Sequence, residues 1–268
     1  MSERWYKEHQ SDAWRKQAKS KGYRARSAFK LLQIQTRFPL IREGDFVLDV
    51  GCHPGGWTQV AVETAGANGM VIGVDIKACA PIEGAAFVIG DLSEEPTQRR
   101  IRELLANAIL VNGEQLAEDD ERMFNTIVSD ISPNLTGQYE RDQAISMELV
   151  AMVFDFTLPM LSPGGAFVTK MFQGRGIEGI VNAAKSRFSR VQRFSPDASR
   201  NSSSETFLVC RNKLPAPRQD ARGKSVQQQL VDWLEGMGVV TDASDSEDDE
   251  VEGLVGFRRV RRKDESDS

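Results

Sequence analysis

Histidine and cysteine are scarce in this chain of 268 residues. Only His9 and His53 could supply an imidazole, too few to assemble a catalytic triad or a histidine-rich metal cluster. Cys52, Cys79 and Cys210 are too few and too scattered for a disulfide framework or a zinc site, which points to a cytoplasmic setting and no bound metal. Long apolar runs are lacking as well: none approaches the roughly 18 residues of a membrane span. The opening MSERWYKEHQ is charged and has no apolar core of the kind a secretory signal carries. The composition that remains, 40% hydrophobic and 27% charged, is that of a soluble globular protein and excludes global disorder.

The net charge of −5 conceals a segregation. Residues 1–42 carry 11 Lys and Arg against 3 Asp and Glu, residues 43–213 carry 15 against 23, and residues 214–268 carry 8 against 13. A basic arm on an acidic body is a nucleic-acid footprint, although basic ends also occur as plain solvated surface. The chain divides accordingly into a basic arm and helix (1–42), a folded domain (43–213) and a tail (214–268). The tail opens on the Pro-rich LPAPRQDARGK and continues with one short amphipathic stretch, VQQQLVDWLEGMG (226–238). The run DASDSEDDEVE (242–252) then holds 7 acids in 11 residues and is expected to be disordered, ahead of the basic FRRVRRK (257–263). That acidic run suits either an RNA mimic that shields the basic arm or a solubilising end.

Between these ends, short apolar runs alternate with helix-like stretches. FVLDVG (46–51), MVIGVD (70–75), AAFVIGD (85–91), NTIVSDIS (125–132), GAFVTKMF (165–172) and ETFLVC (205–210) are rich in β-branched and aromatic residues and bounded by Gly, Asp or Pro, as buried strands are. RVQRFSP (190–196) adds a further strand that makes a terminal hairpin with 205–210. Helices are predicted over 57–65, 96–111, 138–161 and 177–188, and over 27–38, where Phe29, Leu32, Ile34 and Phe38 offer an apolar face. Alternating strand and helix means a doubly wound α/β domain with helices on both faces of a mostly parallel sheet.

Ligands of such sheets bind beyond the carboxyl ends of the strands. There the sequence reads LDVGCHPGGWTQV (48–60), in which Gly51, Gly55 and Gly56 allow a tight turn and a close backbone approach. Asp75 and Asp91 close the next two strands, and an acid at such a strand end grips ribose hydroxyls. A dinucleotide fingerprint is missing, because His53 stands where the second glycine of GxGxxG belongs. S-adenosylmethionine carries a sulfonium and no phosphate, so a pocket bearing Asp49, Asp75, Asp91 and Asp130 suits it better. The plainer alternative is a nucleotide-free domain whose Gly and Asp residues only shape loops.

Four charged residues stand where charge needs a reason. Asp130 follows a strand in IVSDISPN, Lys170 lies inside the apolar strand GAFVTKMF, Glu205 opens the last strand, and Lys30 interrupts the apolar helix SAFKLL. A lysine in a buried strand is costly unless paired, and it serves a structural ion pair as readily as catalysis.

Together these pieces make the sequence recognisable. YRARSAFKL (23–31), LDVGCHPGGWTQ (48–59), GVDI (73–76), GDL (90–92), SDISPNLTG (129–137), TKMFQG (169–174) and RNSSSETFLV (200–209) resemble, in order and spacing, the FtsJ/RrmJ (RlmE-type) family of S-adenosylmethionine-dependent ribosomal RNA 2′-O-ribose methyltransferases. The resemblance covers about residues 20–213. It implies a Rossmann-like class I methyltransferase fold, with a mostly parallel seven-stranded sheet ending in an antiparallel strand. It implies a catalytic tetrad that falls on Lys30, Asp130, Lys170 and Glu205, and S-adenosyl-L-methionine contacts that fall on Gly55, Trp57, Asp75, Asp91 and Asp130. Cys52-His53 departs from the small residues of bacterial members and leaves PGGW intact. The resemblance further implies a substrate in large-subunit ribosomal RNA, as a 23S rRNA (uridine-2′-O-)-methyltransferase acting as a monomer. Transfer RNA is the alternative substrate, and a non-catalytic ribosome-assembly factor the alternative class.

In-line methyl transfer requires a ribose 2′-oxygen to be aligned with the methyl and relieved of its proton. Lys170 is the expected base or orienting group, positioned by Lys30 and Glu205, with Asp130 near the sulfonium. Arg4, Lys7, Arg15, Lys16, Lys19, Lys21, Arg24 and Arg26 are the expected phosphate contacts. Trp5, Tyr6, Trp14 and Tyr23 either stack on bases or pack on the domain.

Overall fold

Strands whose alternate residues are all apolar can be covered on both sides, and this sheet is. The structure, a computed structural model, describes residues 13–107, 123–133, 136–174, 176–199 and 205–237. Helix α1 is described over 13–20. It is followed by α2 (Ala28–Arg37), β1 (Phe46–Val50), α3 (Gly56–Ala65), β2 (Met70–Asp75), β3 (Ala85–Ile89) and α4 (Glu95–Ala106). Then come β4 (Phe124–Ser129), α5 (Tyr139–Thr157), β5 (Leu161–Phe172), α6 (Ile177–Lys185), β6 (Phe188–Phe194), β7 (Glu205–Lys213) and α7 (Val226–Gly236).

The strands form one sheet in the order β3-β2-β1-β4-β5-β7-β6. Every pairing is parallel except those of β7, which runs antiparallel to both β5 and β6. The expected seven-stranded, mostly parallel sheet with helices on both faces is therefore present, and the hairpin of the last two strands with it. What the linear pattern does not convey is that β7, last in the chain, is inserted between β5 and β6.

Side chains alternate across a strand. Val47, Val71, Val128, Val168 and Val209 accordingly meet Ile34, Trp57 and Val60 of α2 and α3 on one face. Their neighbours Leu48, Ile72, Ile127, Phe167 and Leu208 meet Ile101, Phe154 and Ile180 of α4, α5 and α6 on the other. Phe154 and Phe167 stack there with centroids 4.1 Å apart. Helix α5 with its 3-10 extension, Tyr139–Met160, has the length and mean hydropathy (1.2) of a bilayer crossing, and 56% of that window is buried inside the protein.

The folded unit reaches beyond residue 213. Helix α7 lays Val226 and Leu230 into the core beside α5 and α6. Its first amides are held by Asp155, which accepts from Val226 N at 2.6 Å and Gln227 N at 3.0 Å, and by the N-cap Ser225. Arg187 donates to Lys224 O at 2.6 Å and to the amide oxygen of Gln229. Gly179 makes room for the indole of Trp233, which a Cβ would approach to 2.9 Å. The expected division at 213/214 thus separates elements that pack together, because the amphipathic face of 226–236 has an apolar partner waiting on α5 and α6. The acidic run at 242–252 and the basic run at 257–263 lie outside the described residues.

Candidate active site

The face covered by α2 and α3 collects the charges. Asp130 follows Val128 by two residues, Lys170 follows Val168 by two, and Glu205 precedes Phe207 by two, and all three reference residues line that face. Register then sets them side by side at the carboxyl edge of the parallel strands. Ser129 pairs with Thr169, Lys170 with Phe207, and Phe172 with Glu205. The antiparallel insertion of β7 is what brings its first residue, Glu205, to the edge where β4 and β5 end. Helix α2 lies above them and supplies Lys30 from its first turn.

The four groups make one cluster. Lys170 Nζ donates to the Asp130 carbonyl at 2.8 Å and sits 3.2 Å from Asp130 Oδ1. Lys30 Nζ bonds Glu205 Oε1 and lies 3.9 Å from the same Asp130 Oδ1. Two lysine nitrogens thus converge on one carboxylate oxygen, with side chains only 7% and 10% exposed against 17% for Asp130, the most open of the four. Lys30 also sits over the Phe207 ring, 5.6 Å from its centroid. All four sequence-predicted charges are brought together.

The glycine loop lies beside this cluster. Gly51 and Gly55 have φ of 74° and 108°, and a Cβ on Gly51 would stand 3.1 Å from Ile131. Asp75 accepts His53 N at 2.9 Å and Lys77 N at 2.8 Å, so it ties the loop after β1 to the loop after β2. Asp91 accepts the Ser93 amide and hydroxyl, both at 2.8 Å. Asp49 is fully buried under α3, accepting from Thr58 Oγ1 at 2.6 Å. Burial pushes its carboxyl up to about 7, and the Asp130 and Asp75 charges add to the rise.

Trp57 stands apart from the other expected cofactor residues. Its side chain is 2% exposed, stacks on Phe207 at 5.7 Å and donates Nε1 to Ser27 O at 2.9 Å. The indole is a core group joining α3 to α2 and the sheet.

The arm is corrected in part. Arg24 is no free phosphate contact: its guanidinium donates to Ala80 O at 2.6 Å, Pro81 O at 2.7 Å and Pro54 O at 3.4 Å, clamping both cofactor-edge loops. A stretch of sequence cannot show that these carbonyls converge. Trp14 and Tyr23 pack on Phe29, with centroids at 5.0 and 5.8 Å, so the packing alternative holds for both. Tyr23 also donates to Glu63 at 2.7 Å, and burial with this carboxylate holds its phenol up at about 12. Arg15, Lys16, Lys19 and Lys21 are exposed. Arg4, Trp5, Tyr6 and Lys7 lie outside the described residues. No group of three metal-binding side chains occurs among the described residues.

The chain is similar to known proteins over most of its length. The profile of the family described as FtsJ-like methyltransferase matches residues 23–213. A Natronomonas pharaonis protein named ribosomal RNA large subunit methyltransferase E is 40% identical over 72% of this chain and 70% of its own length. Proteins of the same name from Methanocaldococcus jannaschii and Francisella philomiragia are 37% and 33% identical, each over 78% of this chain and over 81% and 94% of their own lengths. A crystal structure from Plasmodium falciparum, described as a ribosomal RNA methyltransferase, superposes with a TM-score of 0.62 at 26% identity, covering 72% of this chain and 99% of that one.

Proposed function

The chain belongs to the FtsJ-like methyltransferase family, and from that premise we propose that it transfers a methyl group from S-adenosylmethionine to a ribose 2′-hydroxyl of large-subunit ribosomal RNA, as a cytoplasmic 23S rRNA (uridine-2′-O-)-methyltransferase. The observation that carries the reading is the convergence of Lys30 and Lys170 on Asp130 at the carboxyl edge of the sheet. The relatives' names support the ribosomal substrate.

The residues present suit the methyl donor. Gly51 and Gly55 hold a backbone turn that a side chain would strain, and carboxylates of Asp75 and Asp130 supply negative charge beside it without any phosphate cradle. When bound, S-adenosylmethionine supplies an activated methyl on a sulfonium. Asp75 and Asp91 would hold its ribose and base side, Gly55 and the Trp57 backbone would line the turn, and Asp130 would offer its carboxylate to the cation.

The protein's own part is alignment and proton removal. Lys170 donates to the Asp130 carbonyl at 2.8 Å and forms an ion pair with Asp130 Oδ1 at 3.2 Å, which fixes its amino group at the carboxyl edge where a ribose hydroxyl would be delivered. Lys170 is the group assigned to take the 2′-proton. Lys30, fixed by Glu205, places a positive charge beside it and orients the ribose. Arg24 holds the loops that shape the pocket rather than touching substrate.

The deciding experiment is methyl transfer from labelled S-adenosylmethionine to undermethylated large subunits, 23S rRNA and transfer RNA in parallel, with Lys170→Ala alongside. Label in the ribosomal fraction that vanishes in the variant is the expected result. Label confined to transfer RNA overturns the substrate, and cofactor binding without label on any RNA overturns catalysis.

A further inference from the structure

At the opposite end of the sheet, below the ends where the parallel strands begin, a cleft of about 540 Å³ is lined by Arg42, Arg190 and Arg211 together with Asn125, Ser162 and Asn212. Arg190 and Arg211 are directly opposite each other in the β6–β7 register. Like charges placed opposite across two strands destabilise the pair. Neither has a carboxylate within ion-pair distance among the described residues; Arg211 bonds only the neutral amide oxygen of Gln192, at 3.0 Å. The Arg211 guanidinium is held against the Phe38 ring, 5.3 Å from its centroid, while its Nε is buried with no acceptor among the described residues. An unsatisfied buried donor of this kind is costly. Asp45, the only acidic residue lining the cleft, accepts from Arg42 N at 2.8 Å.

Edge strands carry charge to block pairing with other sheets. That accounts for arginines on β6, an outer strand, and not for Arg211 on β7, an inner one. The pattern calls instead for an anion with several acceptor oxygens set between the guanidinium groups.

We propose that this cleft is a second RNA contact, a phosphodiester-binding groove that holds substrate backbone away from the catalytic edge. Alternation puts Arg211 on the same face as Phe207 and Glu205, and Arg190 on the same face as Phe194. The groove and the lysine cluster thus share the α2 side of the sheet. From Glu205 to Arg211 is six residues along β7, about 20 Å at strand rise, a span that several nucleotides cover. Phosphate contacts set position and affinity and carry no sequence information, so the groove acts on RNA binding and leaves methyl transfer itself unchanged. The assignment rests on the RNA-methyltransferase reading above.

The test uses the full chain with Arg190→Gln, and Arg190→Gln/Arg211→Gln, checked for fold by circular dichroism. The single variant alters an exposed side chain and guards against a folding defect in the double one. Affinity for a 23S rRNA fragment is measured against salt, with a dinucleotide that reaches only the catalytic edge as control. For single strands each lost phosphate contact lowers the slope of log K against log salt by about 0.7. The double variant should therefore lose about 1.4 in slope and roughly 10–30-fold in affinity at 0.1 M salt. KM for the fragment should rise with kcat unchanged, and dinucleotide binding should not move. An unchanged slope in both variants overturns the groove, whether or not the wild type methylates the fragment. A reduced slope with no methylation by wild type keeps the groove and overturns the substrate reading.

Discussion

Replacing Asp49 by Asn should make the protein more stable above neutral pH and leave it unchanged in mild acid. Asp49 is fully buried, one of its oxygens accepts from Thr58 Oγ1 at 2.6 Å, and the other has no hydrogen-bond partner among the described residues. Desolvation first, then the Asp130 and Asp75 charges, raise its carboxyl from 3.8 to about 7. A raised folded-state value means that the folded protein binds the proton more tightly than the unfolded chain does. Asp49 therefore withdraws stability as pH rises from about 4 to about 7, and the whole penalty stands above pH 8. The rise of about three units corresponds to roughly 4 kcal/mol at 1.36 kcal/mol per unit, an upper figure for a buried site. Asparagine is the neutral isostere of the protonated acid: it keeps the acceptor for Thr58 and presents an NH2 where the acid presents an O–H. The assay is thermal unfolding of both proteins from pH 4 to 8.5. The curves should coincide near pH 4 and separate by about 2–4 kcal/mol at pH 8, or roughly 5–15 °C in Tm for a domain of this size. Other groups that titrate in this range, Glu148 among them, move both curves alike. Parallel curves across the range would refute the argument. Cofactor affinity at pH 8 should fall in the same variant, because the pocket loses a negative charge.

Lys170→Ala should lower kcat by about 10²–10⁴-fold with cofactor affinity little changed, and retention of more than about a tenth of wild-type activity would sink the base assignment. Glu148 on α5 has an oxygen buried without a partner, and burial lifts its carboxyl to about 7; Glu148→Gln should stabilise above pH 7 and be neutral near pH 4, and unfolding curves with equal gaps at both pH values would contradict this. Arg24→Ala removes the clamp on the carbonyls of residues 54, 80 and 81 and should raise the KM for S-adenosylmethionine more than it lowers kcat; the reverse split would show a direct role in chemistry. Asp155→Ala leaves the first amides of α7 without their acceptor and should cost about 1–2 kcal/mol in urea unfolding, with no loss if α7 is not docked in solution. A truncation meant to test whether the acidic run shields the RNA surface belongs after Gly236, since a cut at Asn212 would uncover the seat of Val226 and Leu230 as well.

Much of this protein is legible along the chain because the determining physics is local. Strand runs of β-branched residues, turns at glycine, and helix periodicity each declare themselves within a few residues, and the α/β order follows. Lys30, Asp130, Lys170 and Glu205 declare themselves for a related reason: a charge inside or at the end of an apolar run needs a partner, as Asp49 within FVLDVG does too. The side-chain surroundings of Arg24, Trp57, Trp14 and Tyr23 are not legible along the chain, because each is decided by what lies across from it. A guanidinium looks the same in sequence whether it meets phosphate or three backbone carbonyls, and an indole the same whether it meets a cofactor or Phe207.

The sequence by itself therefore determined the alternating architecture, the glycine loop with its acids, and the identity of the charged residues that had to be explained. Only the tertiary structure decided that the expected antiparallel strand, β7, is inserted between β5 and β6, which carries Glu205 to Lys30 and sets Arg211 opposite Arg190. It also decided that the stretch at 226–236 is a packed helix. Strand order and helix docking depend on contacts between residues far apart in the chain, and no local pattern encodes which of several apolar faces will meet.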